Sequence, residues 1–97
     1  MVIVTYDEFG GQWDHVPPPG QVGGPDGPHD KFGPGPRIPG LVLSPYLGPA
    51  AGVDHTEYDT TAILKLIEQR WSVQALTARD GSQHSLSAVF NARPLGQ

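Results

Sequence analysis

The sequence has no cysteine, no basic cluster and no long apolar run, and each absence excludes a class of protein. Without cysteine there is no disulfide framework, thiolate metal site or cysteine nucleophile. Six basic residues against ten acidic ones give a formal net charge of −4, so we expect no nucleic-acid partner. No apolar stretch approaches the ~20 residues that cross a bilayer, and no signal-peptide pattern is present. We therefore expect no transmembrane segment, and the sequence does not indicate a cellular compartment.

Glycine and proline, by contrast, are abundant and make up 24 of the 97 residues. Fifteen of them lie between residues 16 and 40. Proline prevents a helix in this segment, and too few apolar side chains remain there to form a core. A chain of this length has room for one small domain. The composition therefore predicts a single domain over residues 1–97 with a long Gly/Pro-rich loop over residues 16–40.

Two short apolar segments predict strands. Val2–Tyr6 is a continuous run of β-branched and aromatic residues, which is typical of a strand buried on both faces, as in a parallel sheet. Ile38–Ser44 is closed by proline and suits a strand better than a helix. Asp7 and Glu8 follow the first strand directly, and ligands gather at the carboxyl ends of strands in open α/β sheets.

The segment from Thr56 to Trp71 has a helical period. Its apolar residues fall at i, i+1, i+4 and i+8, the stripe of a helix that packs one face on a sheet; they are Ile63, Leu64, Ile67 and Trp71. Asp54 and Thr56 are both competent N-caps for this helix. A further helical turn or two is expected within Ser82–Phe90. The predicted fold class is α/β, a small fragment-like mixed sheet with one main helix and the Gly/Pro-rich loop.

Five polar residues are candidates for chemistry. Asp7 and Glu8 offer the oxygen ligands that suit divalent cations, although a solvated loop pair is the simpler alternative. Asp14 and His15 follow on a glycine-rich turn that could return them to the same place, and the alternative is a surface pair. His55 stands beside the expected helix N-terminus, where backbone N–H groups attract phosphate.

Six motifs follow one another along the chain: Val2–Pro19, Gly33–Pro39, Leu41–Pro45, Val53–Asp59, Ile63–Glu68 and Leu76–Asp80. In this order they resemble the C-terminal part of the phosphoesterase family that contains bacterial phospholipases C and related acid phosphatases. The motifs cover nearly the whole chain, and several motifs in order are far more specific than one.

The resemblance implies membership of the alkaline-phosphatase superfamily, whose members hydrolyse phosphate esters on a metal at the edge of an α/β sheet. It implies a metal-dependent hydrolase of phosphate mono- or diesters, on small molecules or lipids. By the same resemblance, Asp7, Glu8 and Asp14 are metal ligands, and His15 and His55 are catalytic. The ion could be Zn²⁺, Mn²⁺, Ca²⁺ or Mg²⁺, because carboxylates suit the last three and added imidazoles favour zinc.

The sequence also departs from the family it resembles. Neither the family's amino-terminal Glu-Asn metal motif nor its Ser or Thr nucleophile has a match here, so we expect a truncated phosphoesterase-like domain. A metal-activated water would then replace the nucleophile. The alternative is a non-catalytic metal-binding or interaction remnant of a larger phosphoesterase. Strands without sheet neighbours leave unpaired edges, which predicts a homo-oligomer.

Overall fold

The computed structural model describes residues 1–20, 34–47 and 52–91. Its elements, in chain order, are β1 (Val2–Thr5), β2 (Gly40–Leu43), α1 (Thr61–Trp71), α2 (Ala78–Ser82) and a 3₁₀ helix (Leu86–Asn91). The predicted α/β class, with a small sheet and one main helix, is confirmed. Much of the predicted Gly/Pro-rich loop, residues 21–33, lies outside the described residues.

The chain divides into two compact units, Met1–Leu43 and Ser44–Gln97. Each unit has its own secondary structure, with the two strands in the first and the helices in the second. The single domain over residues 1–97 stays a prediction. None of the helices in the described ranges is long and apolar enough to cross a membrane.

The first unit is organised by a two-stranded antiparallel sheet. Val2 lies opposite Leu43, and Thr5 lies opposite Gly40. The Thr5 hydroxyl donates a hydrogen bond to the Pro39 carbonyl (2.9 Å), which ties the end of β1 to the residue before β2. Because β1 ends at Thr5, the carboxylates that follow it are held close to the sheet by a short stretch of chain.

The expectation that the first strand is buried on both faces of a parallel sheet is wrong. Val2 is 56% exposed and Val4 is 48% exposed, and the leucines opposite them, Leu43 and Leu41, are also exposed. Each strand of a two-stranded sheet has a single neighbour, and the described part of this unit contains no helix that could cover a face. The β-branched run therefore specifies extended backbone, which is a local property, without specifying burial.

In the second unit the main helix begins later than predicted, at Thr61 rather than Thr56. The Asp59 carboxylate accepts from the Thr61 N–H (2.8 Å), and the Asp59 carbonyl accepts from the Ala62 N–H (3.0 Å). Asp54, one of the predicted caps, instead accepts from the Thr56 N–H (3.0 Å) in the loop before the helix. The local Asp54 turn therefore replaces the helical turn that the sequence pattern predicts there.

The apolar stripe of α1 is only partly covered. Ile63 and Leu64 are half-buried, whereas Ile67 and Trp71 are exposed. The helix packs on α2 and on the 3₁₀ helix. The expected packing of this stripe on a sheet stays a prediction.

Beyond α1 the chain forms two short helical segments. α2 was not predicted; its N-cap is Thr77, whose side chain and backbone exchange hydrogen bonds with Asp80 in a capping box. The 3₁₀ helix falls largely within the segment Ser82–Phe90, where a helical turn was predicted. Its first residue, Leu86, is buried.

Candidate functional site

Glu8 is held in a fixed turn after β1. One oxygen of its carboxylate, Oε2, accepts hydrogen bonds from the Gly10 N–H and from the Gly11 N–H (3.2 Å). Both glycines have positive φ, 66° and 80°, a backbone conformation that residues with a Cβ rarely adopt. The two glycines thus fold the chain back so that their amides donate to the carboxylate and orient Glu8.

Asp7 differs from its neighbour. Its carboxylate is exposed, and within the described residues it makes no hydrogen bond or ion pair. An exposed carboxylate with both oxygens available is competent to ligate a cation. Asp7 and Glu8 therefore form a pair in which one member is oriented by backbone amides and the other is open.

Asp14 is joined to Arg37 by a two-pronged ion pair. The carboxylate oxygen Oδ2 accepts from Arg37 Nε (2.8 Å) and Nη2 (2.7 Å), and Oδ1 accepts from the Val16 N–H (3.0 Å). The hydrogen bonds from Arg37 hold the pKa of Asp14 below its ordinary value. Because Asp14 precedes the Gly/Pro-rich segment and Arg37 lies near its end, this pair clamps the two ends of that segment together.

A surface cavity of about 630 Å³ lies beside this ion pair. Phe9, Trp13 and Ile38 supply apolar walls, and Asp14 and Arg37 supply the charged groups. The sequence reasoning missed Arg37, although it stands inside one of the recognised motifs. The available sequence signal was a single basic residue among glycines and prolines. The partner of Arg37, Asp14, is 23 positions away, so the local sequence did not indicate the ion pair.

The two predicted catalytic histidines belong to different units. The His15 side chain is 84% exposed, and its Nδ1 lies 3.9 Å from Asp14 Oδ2. His55 is exposed in the loop between Asp54 and Thr56, ahead of α1. The expectation that His55 stands at the helix N-terminus is wrong, because the helix starts only at Thr61.

The described residues do not by themselves make up a complete metal site. Among them, no three His, Asp or Glu side chains come together in a group that could hold a metal ion. Asp7 and Glu8 supply an adjacent carboxylate pair. Asp14 is engaged by a guanidinium, which a metal ion would have to displace. The ligand roles of these residues stay predictions.

Comparison with known proteins identifies the family. The model of the phosphoesterase family matches residues 1–74. Phospholipase C B and phospholipase C A of Mycobacterium tuberculosis (strain CDC 1551 / Oshkosh) are 40% and 37% identical to the chain, and each alignment covers 93% of the chain and 21% of the relative. Non-specific phospholipase C3 of Arabidopsis thaliana is 31% identical, over 94% of the chain and 20% of the relative.

The chain thus spans about a fifth of the length of the curated relatives it matches. No solved structure matches it significantly. The matched region includes the strand β1, the carboxylate pair, the Asp14–Arg37 clamp and the whole of α1. With the family model covering about three quarters of the sequence, the chain belongs to the phosphoesterase family.

Proposed function

We propose that this chain acts in the hydrolysis of phosphate esters, either small-molecule or lipid, as a mono- or diesterase. Its family and its phospholipase C relatives support the proposal. The structural observation that carries it is the carboxylate pair behind β1, with Glu8 oriented by two backbone amides and Asp7 open. An oriented carboxylate beside an open one is suited to bind the cation that such a reaction uses.

We further propose that a divalent cation, Zn²⁺, Mn²⁺, Ca²⁺ or Mg²⁺, is bound with Asp7 and Glu8 among its ligands. Such an ion would supply a bound water of lowered pKa, which would act in place of a side-chain nucleophile. Asp14 would contribute as a further ligand only after release from Arg37. His15 and His55 both have exposed imidazoles, which suits proton transfer or contact with the phosphate.

The experiment is an assay of mono- and diester hydrolysis by the full chain, with chelator and after return of each ion separately. We expect chelation to abolish the activity and one of the ions to restore it. Asp7→Asn should lower the activity by at least about tenfold, because it removes a charged ligand at constant size. Glu57→Gln is the matched control, since it removes an exposed carboxylate outside the candidate site. Activity that survives both chelation and Asp7→Ala contradicts the proposal.

A second function is a non-catalytic metal-binding or interaction module of a larger phosphoesterase. The observation that favours this second function is that the chain aligns with only about a fifth of the length of each relative. Thermal melting with and without each ion distinguishes the two functions. A metal that binds only the folded chain raises the melting temperature. A rise in melting temperature without any esterase activity favours the binding module, and activity favours the enzyme.

We also propose that the chain self-associates. One face of the sheet carries exposed apolar side chains, those of Val2, Val4, Leu41 and Leu43. Two-stranded sheets are marginally stable alone, and their open edges favour pairing with a further strand. Sedimentation at micromolar concentration should therefore show a closed oligomer, and a compact monomer that melts cooperatively would contradict this expectation.

A further inference from the structure

Two carboxyl groups are buried in the second unit, and one of them accepts several hydrogen bonds. Among the described residues, Glu68 of α1 is 5% exposed and Asp80 of α2 is 1% exposed, and no other charged residue is as deeply buried. Asp80 accepts from the Leu76 N–H (2.7 Å), from the Thr77 N–H (2.8 Å) and from the Thr77 hydroxyl. The hydrogen bond from the Thr77 hydroxyl is the main reason that the pKa of Asp80 lies well below its ordinary value. Asp80 is therefore ionised.

Glu68 is in the opposite situation. Both of its carboxyl oxygens are buried, and within the described residues neither has a hydrogen-bond donor. The helix α1 packs on α2, which carries Asp80, and the two buried carboxyl groups are close enough to interact. Two ionised carboxylates close together, one of them buried and without donors, are strongly unfavourable. Burial, and secondarily the proximity of Asp80, raise the pKa of Glu68.

The neighbouring charges do not neutralise Glu68. Lys65, one turn earlier on α1, acts to lower the pKa of Glu68, but its ammonium group donates to the Gly81 carbonyl (2.8 Å). Arg79 of α2 pairs with Asp59 (2.9 Å). The 3₁₀ helix that also packs on α1 contains no charged residue. The Leu76 amide lies close enough to influence both carboxyl groups, but its hydrogen bond goes to Asp80.

We propose that Glu68 carries a proton and donates it to the carboxylate of Asp80, so that the pair holds one proton and one negative charge. This arrangement gives the Glu68 hydroxyl an acceptor and adds one more hydrogen bond to Asp80. It joins the C-terminal half of α1 to the capping box that starts α2. The proposal concerns the second unit only and does not depend on the proposed esterase function.

The protonated pair makes the stability of the second unit depend on pH in an unusual direction. A carboxyl group whose pKa is raised by folding stabilises the protein fully below its unfolded value, ordinarily 4.5, and this contribution is lost as the pH rises through the folded value. Within that window, the folding equilibrium constant falls by about tenfold for each pH unit. Asp80 acts oppositely, because its lowered pKa causes a loss of stability only as the pH falls below its ordinary 3.8. The two effects therefore occupy separate pH ranges.

The direct test is a carbon NMR titration of the glutamate carboxyl groups in the full chain, with Glu68 assigned through its own backbone. This measurement needs no variant. We expect the Glu68 resonance to titrate above 4.5. A Glu68 resonance that titrates at or below 4.5 overturns the proposal.

The second test compares melting temperatures as a function of pH. We expect the melting temperature of the wild type to decline as the pH rises above 4.5. Glu68→Gln keeps a hydrogen-bond donor toward Asp80 but cannot titrate, so its melting temperature should not show this decline. Glu57→Gln makes the same chemical change at an exposed position and should keep that decline. Equal pH profiles for the wild type and Glu68→Gln would contradict the shared proton.

A bound cation is the competing explanation for two buried carboxyl groups. Mg²⁺, Ca²⁺ and Mn²⁺ should therefore be added separately to the wild type and to Glu68→Gln. We expect any melting shift to be the same in both proteins, because a protonated Glu68 does not ligate a cation. A shift that occurs in the wild type and is lost in Glu68→Gln would show that a cation replaces the proton, and would overturn the proposal.

Discussion

Replacing Asp59 by alanine should destabilise the second unit more than any exposed substitution in it. One carboxylate oxygen of Asp59 accepts from the Thr61 N–H (2.8 Å) and from the Thr61 hydroxyl at the start of α1. The other oxygen accepts from Arg79 Nε of α2 (2.9 Å). The Asp59 side chain is 13% exposed and that of Arg79 is 20% exposed, so water screens this ion pair weakly. Asp59 thus connects the first turn of one helix to another helix.

The expected loss can be worked out from these contacts. Removing a side-chain acceptor from an N–H at the start of a helix costs about 1 kcal/mol. A hydrogen bond between charged groups contributes about 1.5–3 kcal/mol, and we take the lower end because the pair retains some contact with solvent. Asp59→Ala should therefore lower the free energy of unfolding by about 2–3 kcal/mol. That is a large share of the roughly 5–15 kcal/mol that stabilises an ordinary domain.

Urea unfolding followed by circular dichroism measures this loss. Asp59→Asn is the informative companion variant, because its amide oxygen still accepts from the Thr61 N–H while the charge that pairs with Arg79 is gone. It should lose about half as much as Asp59→Ala. A double-mutant cycle between Asp59→Ala and Arg79→Ala should give a coupling energy of about 1 kcal/mol or more. If Asp59→Ala lies within about 0.5 kcal/mol of the wild type, the reasoning is refuted.

Two further predictions concern titrations. Burial and the hydrogen bond to Asp54 raise the pKa of Tyr58 to about 12, so its contribution to stability is present below pH 10 and is lost as the pH rises toward 12. Ultraviolet titration should find the Tyr58 pKa lower in Asp54→Asn, and an unchanged value would contradict the assigned cause. Arg37→Gln should raise the pKa of Asp14 toward its ordinary 3.8, measured by NMR, because it removes the guanidinium that favours the carboxylate. An Asp14 pKa that stays low in this variant would mean that the Val16 amide alone is sufficient.

The parts of the protein that are local in sequence could be predicted. The β-branched run after Met1 specifies extended backbone through steric preferences of neighbouring atoms, and it forms β1. The apolar period that ends at Trp71 specifies a helix for the same kind of reason, and α1 ends there. Asp7 and Glu8 follow β1 as predicted. The ordered motifs identified the phosphoesterase family, which the family model confirms.

Properties that depend on a distant partner could be decided only by the tertiary structure. The helix α1 starts at Thr61, where the Asp59 carboxylate accepts from the Thr61 N–H and also pairs with Arg79, 20 positions along the chain. Neighbours of the first strand determine its exposure, and the sequence of a strand does not specify how many neighbours it has. The proximity of Glu68 to Asp80 likewise arises only when α1 packs on α2. Local sequence determines backbone conformation because its causes are a few bonds away, whereas burial, ion pairing and proton sharing depend on which groups folding brings together in space.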